Sequence, residues 1–60
     1  MEYKLLASAP SETAILDCIK RYFYGGNFTV QNGIVHNSRG AIQGFRVIHK
    51  GKRYRFECLI

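Results

Sequence analysis

The chain is poor in carboxylates and has no constellation of residues that suggests a reaction. Its 60 residues include four acidic side chains, which lie far apart in the sequence: Glu2, Glu12, Asp17 and Glu57. Acid–base catalysis needs groups within hydrogen-bond reach of one substrate. The histidines at 36 and 49 suit surface or turn positions better than catalytic ones, and alternation along the last strand places Cys58 on a core face. We therefore expect a protein that is not an enzyme and carries no cofactor.

Long apolar runs are also missing. No stretch approaches the roughly 18 residues that a membrane-spanning helix requires. The short apolar stretch Leu5–Ala7 is too brief for the hydrophobic region of a signal peptide. The expectation is a soluble, cytoplasmic protein that does not associate with a membrane.

Cysteine is scarce, with one residue in a helical stretch and one in the last strand, Cys18 and Cys58. Two cysteines without an export signal are more typical of reduced, buried thiols than of a disulfide. Together with His36 and His49 they do not form a zinc signature, because no C-x-x-C or H-x-x-x-H spacing is present. The single Ser-Arg-Gly turn at 38–40 likewise lacks the glycine spacing and lysine of a phosphate-binding loop. No metal site is expected.

The length and composition indicate one small globular domain over residues 1–60. Hydrophobic residues make up 47% of the chain and charged residues 22%, which is too apolar for a disordered protein. A domain of this size buries only about 60% of its unfolded surface. We therefore expect binding or dimerisation to contribute to stability, and we expect a homodimer formed through an edge strand or through the Ile34/Ile48 side of the sheet.

The N-terminal half predicts one amphipathic helix. Tyr3–Ala7 is either a first strand or an extra turn before the helix. Ser8 to Glu12 is a helix start, in which Ser8 or Ser11 caps the helix, Pro10 occupies the first turn and Glu12 faces the positive end of the dipole. The helix is predicted to run to about Tyr24, and Gly25-Gly26 supplies the left-handed C-cap.

The C-terminal half predicts two β-hairpins. Asn32-Gly33 joins Phe28–Gln31 to Ile34–Asn37 through a type I′ turn, and Lys50-Gly51 joins Phe45–His49 to Lys52–Cys58. Gly44 is a predicted bulge or bend. The fold class is α+β, one amphipathic helix packed on an antiparallel β-meander of four strands, or five if Tyr3–Ala7 pairs. The predicted core is Ile15, Leu16, Ile19, Phe23, Val30, Phe45, Val47, Tyr54 and Phe56.

Side-chain alternation divides this sheet into a core face and a wet face. The wet face is predicted to carry Thr29, Gln31, Ile34, His36, Arg46, Ile48, Arg53 and Arg55. A two-residue loop at Lys50-Gly51 sets Arg46 directly opposite Arg55, a like-charge pair that costs up to about 1 kcal/mol in isolation. An anion lying across the face relieves that repulsion.

The positive charge belongs to the C-terminal half. Residues 31–60 hold six Lys and Arg against Glu57, which accounts for the whole net charge of +5. The leading hypothesis is a small basic protein, for example a regulatory one, that binds DNA or RNA through a nucleic-acid site formed by Arg46, Ile48, Lys50, Lys52, Arg53 and Arg55. The alternative is a protein-interaction module, an inhibitor or adaptor of the kind that phages and prophages encode, which docks on an acidic partner protein.

Overall fold

The computed structural model describes residues 2–60, so Met1 lies outside the described residues. One helix packs on a five-stranded antiparallel sheet, which confirms the α+β fold class. The elements, in chain order, are β1 (Tyr3–Ala9), α1 (Glu12–Tyr22), β2 (Thr29–Gln31), β3 (Ile34–Asn37), β4 (Gly40–Lys50) and β5 (Arg53–Leu59). The strand order is β1-β5-β4-β3-β2, so the first strand pairs with the last. Within the described residues, no helix is long and apolar enough to cross a membrane.

The N-terminal segment is a strand rather than an extra helical turn, and it is two residues longer than predicted. Ser8 therefore lies in β1, and Ser11 is the helix cap, accepting a hydrogen bond from the Ala14 amide at 3.1 Å. Pro10 precedes this cap, so its placement in the first helical turn was wrong. Its missing N–H is tolerated there because Pro10 separates the strand from the helix.

The helix ends at Tyr22, two residues earlier than predicted, in a Schellman motif. The Gly25 amide donates to the Lys20 carbonyl at 2.7 Å, and the Tyr24 amide donates to the Arg21 carbonyl at 3.2 Å. The left-handed position of this motif is occupied by Tyr24, with φ of 62°, rather than by Gly25. A tyrosine that is 98% exposed thus carries the backbone strain that glycine ordinarily avoids.

Replacing Tyr24 with Gly is expected to stabilise the protein by about 0.5–1 kcal/mol, because glycine adopts the left-handed conformation without steric cost. Chemical denaturation measures the change. Arg21→Gly is the matched control: it places glycine at an exposed helical position and should destabilise by about 1 kcal/mol. A Tyr24→Gly variant less stable than the parent would contradict the assignment of strain.

The first predicted hairpin is confirmed in register and turn type. Gln31 pairs with Ile34 and Val30 with Val35, and the two turn residues Asn32 and Gly33 have φ of 52° and 79°. Gly33 is also in close contact with β4: its carbonyl accepts the Val47 amide at 2.7 Å, and a Cβ there would lie 2.9 Å from the Val47 carbonyl. The turn therefore requires glycine for two reasons, its positive φ and its proximity to the neighbouring backbone.

The second hairpin is confirmed as an element, but its predicted turn was wrong by one residue. Lys50 pairs with Arg53, so the loop is Gly51-Lys52 rather than Lys50-Gly51. Gly51, with φ of 62°, takes the first central position, as in a type II′ turn. Each β4 residue therefore pairs with a β5 residue two positions later than predicted. Because side chains alternate with a period of two, each keeps its predicted face, but its cross-strand neighbour changes.

Strand β4 contains the predicted irregularity at Gly44. Ala41 pairs with His36 and Arg46 with Ile34, so β4 advances five residues where β3 advances two. The excess residues form a bulge, and Gly44 adopts a φ of 85° within it. A second irregularity lies in β1 between Leu5 and Ala7, where β1 advances two residues and β5 advances one.

The core lies between the helix and one face of the sheet. Four predicted core residues are buried: Ile15, Ile19, Val47 and Phe56. The other predicted residues, Leu16, Phe23, Val30, Phe45 and Tyr54, are half-buried and pack against them. Ala9 and Val35 are further buried members that the predicted list did not include. The helix therefore covers the sheet face that alternation assigned to it, and no element within residues 2–60 covers the opposite face.

Candidate nucleic-acid interface

The candidate site is the sheet face opposite the helix, which we call the open face. Strand pairing and alternation place these side chains on it: Tyr3, Leu5, Ser8, Thr29, Gln31, Ile34, His36, Arg46, Ile48, Lys50, Arg53, Arg55, Glu57 and Leu59. The whole predicted wet face is therefore confirmed as one surface. Strand β1 adds Tyr3, Leu5 and Ser8, which no sequence pattern had assigned to it.

Cations recur along the centre of the open face, where β4 and β5 pair. Three successive cross-strand pairs that face this way are Lys50/Arg53, Ile48/Arg55 and Arg46/Glu57. Each pair brings at least one cation, and Glu57 is the one carboxylate that residues 2–60 place on the face. We call these three pairs the cation ladder. Lys52 lies beside its first pair in the exposed turn.

The end of the ladder overturns the predicted repulsion between two arginines. Arg46 lies opposite Glu57, not opposite Arg55, because the hairpin loop is displaced by one residue. The Arg46 Nε and Nη2 atoms contact Glu57 Oε1 at 2.8 and 2.7 Å, and the Arg55 Nε donates to Glu57 Oε2 at 2.9 Å. Both arginines thus share one internal counter-ion, and an external anion is not needed to relieve repulsion between them.

Glu57 is buried beneath its two partners. Its side chain is 6% exposed, whereas the side chains of Arg46 and Arg55 are 39% and 34% exposed. The hydrogen bond from Arg55, followed by that from Arg46, lowers the pKa of Glu57 despite the opposing effect of desolvation. The carboxylate is therefore ionised at neutral pH, and the three side chains together carry one net positive charge.

Two residues from β1 hold arginines of the open face in place. The Arg46 guanidinium lies over the Tyr3 ring, with Cζ 3.5 Å from the ring centroid, in a cation–π contact. The Arg53 Nε donates to the Ser8 Oγ at 2.9 Å. The edge strand therefore contributes directly to the arrangement of the arginines on its neighbours.

Aliphatic side chains border the Arg46/Glu57 end of the ladder. Leu5, Ile34 and Leu59 are 42%, 44% and 40% exposed, and Ile48 is half-buried within the ladder itself. These positions make the open face a mixture of cationic and apolar surface. Such a mixture suits a ligand that has both anionic and apolar groups.

The histidines have separate local partners. The His36 Nδ1 hydrogen-bonds with the Ile34 carbonyl at 2.9 Å on the open face. The His49 ring stacks on the Tyr54 ring with centroids 4.2 Å apart, on the other face near the hairpin tip. The two histidines are therefore divided between the two faces.

All six predicted site residues lie on the ladder or at its tip, but they are not equally accessible to a ligand. Lys50, Lys52 and Arg53 are exposed, while Arg46 and Arg55 share Glu57. Glu57 was missed as a site residue, although its spacing of two from Arg55 places both on one strand face. No sequence pattern indicated that Tyr3 contacts the site, because the alternation of side chains along β1 does not reveal which strand pairs with it.

The remaining polar features form no cluster with these residues. Cys18 and Cys58 are free and half-buried, and within residues 2–60 no group of three or more acidic, histidine or cysteine side chains is placed to hold a metal ion. An open groove of about 440 Å³ lies between α1 and the start of β2, lined by residues that include Leu16, Asp17, Lys20 and Phe28. It lies beside the helix and meets the open face at Thr29, away from the cation ladder.

Comparison of the chain with protein-family models, with curated proteins and with solved structures finds no match.

Proposed function

We propose that this protein binds nucleic acid through the open face of its sheet. The observation that supports the proposal is the cation ladder, in which three successive cross-strand pairs each direct a cation to one surface. Glu57 offsets one of these charges, and the exposed Lys52 extends the ladder at the hairpin tip. A face with this charge attracts the phosphate backbone irrespective of base sequence.

The length of the cation ladder matches a short stretch of the sugar–phosphate backbone of DNA. Three pairs two residues apart span about 14 Å along the strands, since each residue advances about 3.4 Å. One strand of B-DNA carries a charge roughly every 3.4 Å along the helix axis. Five cations, less the charge neutralised by Glu57, therefore correspond to about four phosphate contacts.

Binding to duplex DNA is expected to weaken with salt, with a slope of log K against log [salt] of about −3 to −4, as four neutralised phosphates require. Arg53→Ala should reduce the magnitude of the slope by about 1 and weaken binding similarly for all DNA sequences. Fluorescence titration of labelled duplex and single-stranded DNA and RNA at several salt concentrations measures both. A guanine contact would instead cost about 1–3 kcal/mol at one base position.

Arg21→Ala is the matched control, because it removes the same charge from the helix, on the other side of the molecule. It should leave the slope within experimental error of the parent. No binding at low salt, or full binding by an Arg53/Arg55 double alanine variant, would contradict the proposal.

A second candidate function is docking on an acidic partner protein. The observation that favours it is the exposure of Leu5, Ile34 and Leu59 around the cations, since packed protein interfaces combine aliphatic contacts with arginine. Pull-down with and without nuclease separates the two functions. Partners that vanish after nuclease treatment support nucleic acid, whereas a stoichiometric protein partner that persists, with a shallower salt dependence, supports docking.

We also propose self-association, through an edge strand in preference to the open face. Two open faces brought together would oppose positive charge to positive charge, whereas the outer edge of β2, the last strand in the sheet, presents backbone groups without a strand neighbour. Sedimentation at micromolar concentration is expected to detect a dimer. A monomer mass throughout that range would rule it out there.

A further inference from the structure

Arg46 and Arg55 are arranged so that one side of each guanidinium is occupied and the other is free. Arg46 uses Nε and Nη2 on Glu57 Oε1, and Arg55 uses Nε on Glu57 Oε2. The Nη1 of Arg46 and both Nη groups of Arg55 have no protein acceptor among the described residues. These donors belong to side chains that are more than one-third exposed.

The contacts of the two arginines restrict how their free donors can point. The buried Glu57 carboxylate holds both Nε atoms from below, and the Tyr3 ring covers one face of the Arg46 guanidinium. A guanidinium fixed in this way loses less side-chain entropy when it binds a ligand than one that is free to rotate. Two planar forks anchored to one carboxylate form a preorganised set of donors.

The charge and geometry of these donors select the ligand. Arginine forks match the oxygen spacing of phosphate, to which they donate paired, charge-assisted hydrogen bonds. The three side chains retain one net positive charge, and the described part of the chain places no second carboxylate on this face.

We propose that Arg46 and Arg55 form a clamp for a single phosphate group and that Glu57 is its positioning residue. This inference rests on the proposed function when the phosphate belongs to a nucleic-acid backbone. The same chemistry is available in free phosphate, so the clamp is testable without nucleic acid.

Glu57 could either neutralise charge or position the arginines, and these two roles predict opposite effects of one substitution on phosphate affinity. If Glu57 only neutralises charge, Glu57→Gln makes the site more positive and phosphate binds more tightly. If Glu57 positions the arginines, the same change releases their Nε atoms and phosphate binds more weakly despite the added charge. The direction of the change therefore separates positioning from simple neutralisation.

The test is an NMR titration of the full chain with inorganic phosphate at constant ionic strength, following the arginine Nε–Hε resonances. In the parent, the signals of Arg46 and Arg55 are expected to shift together along one saturable curve. Glu57→Gln should weaken binding by about fivefold, equivalent to about 1 kcal/mol. Unchanged or tighter binding by this variant, or the absence of saturable shifts in the parent, would overturn the clamp.

Arg46→Lys is the second variant, and it keeps the charge while removing the fork. It should also weaken phosphate binding by about fivefold if paired donation holds the ligand. It provides the decisive result if Glu57→Gln does not retain the parent's backbone amide spectrum. Parent-like affinity in Arg46→Lys would show that a point charge suffices and would reject the clamp.

Lys52→Gln distinguishes failure of the clamp from failure of nucleic-acid binding. It removes a charge from the hairpin tip and should leave phosphate affinity within about twofold, while reducing the salt slope for DNA by about 1. DNA binding without phosphate saturation would support the proposed function and reject the clamp. Phosphate saturation without DNA binding would support the clamp, with free phosphate or a small phosphate ester as its ligand.

Discussion

Replacing Phe56 with Ala is expected to leave the protein largely unfolded at 25 °C. Phe56 is fully buried, and its ring packs against Phe45 and Tyr22 with centroid distances of 5.7 and 5.5 Å. Loss of a buried phenylalanine costs about 3–5 kcal/mol. A domain of this size has about that much stability in total. Thermal and chemical denaturation, followed by circular dichroism, measure the loss.

Tyr24→Ala is the control for this substitution, because it truncates an aromatic ring that is 98% exposed. It should change the free energy of unfolding by no more than about 0.5 kcal/mol. A Phe56→Ala variant that melts cooperatively near the parent temperature would contradict the placement of Phe56 at the centre of the core.

The second large effect is expected from Glu57→Gln, which should destabilise the protein by about 1–2 kcal/mol at pH 7. The glutamine amide can accept a hydrogen bond from one arginine but directs N–H groups towards the other. Hydrogen bonds to charged groups contribute about 1.5–3 kcal/mol, and solvent screening of the half-exposed arginines reduces the loss. Denaturant titration of parent and variant measures the difference.

The effect of Glu57 depends on pH in a defined direction. The folded protein lowers the pKa of Glu57 below its ordinary value of 4.5. The stabilisation is therefore fully present above that ordinary pKa and is lost as the pH falls through the lower pKa of the folded state. Parent and Glu57→Gln should differ in stability at pH 7 and converge in acid. A difference that persists undiminished below the folded-state pKa would show that charge is not its source.

The fold was predictable where a short sequence pattern determines the local structure by itself. Asn32-Gly33 admits the positive φ angles of one turn type, and the register of its hairpin followed. Alternation then assigned Phe56 to the core and Arg55 to the open face, and both placements are confirmed. The assignments of Phe56 and Arg55 depend on the period of a strand, and the pairing of β5 with β4 is regular from Arg53 to Cys58.

The register of the second hairpin was not predictable in the same way. Gly51 can serve as the second residue of a Lys50-Gly51 loop or as the first of a Gly51-Lys52 loop, because both turn types use glycine at a positive φ. The two choices leave every side chain on the same face. They differ in the cross-strand partner of Arg46, and the predicted repulsion between arginines depended on that partner.

The role of β1 could not be predicted from its own residues. Tyr3–Ala9 has a composition that suits helix as well as strand, and its identity as a strand comes from pairing with β5. The Tyr3 contact with Arg46 and the Ser8 contact with Arg53 follow from that pairing. These long-range contacts were therefore the part of the candidate site that no local sequence pattern predicted.

The pairing of β1 with β5 has a consequence for how the chain folds. Tyr3 lies beside Leu59, and the Ile60 amide donates to the Glu2 carbonyl at 3.0 Å, so the sheet joins segments from opposite ends of the sequence. During synthesis the first strand and the helix emerge before the strand on which both of them pack. The β2–β3 hairpin can form early, but the core around Phe56 cannot form until β5 has been synthesised. Folding of this sheet is therefore expected to be limited in rate by bringing distant segments together.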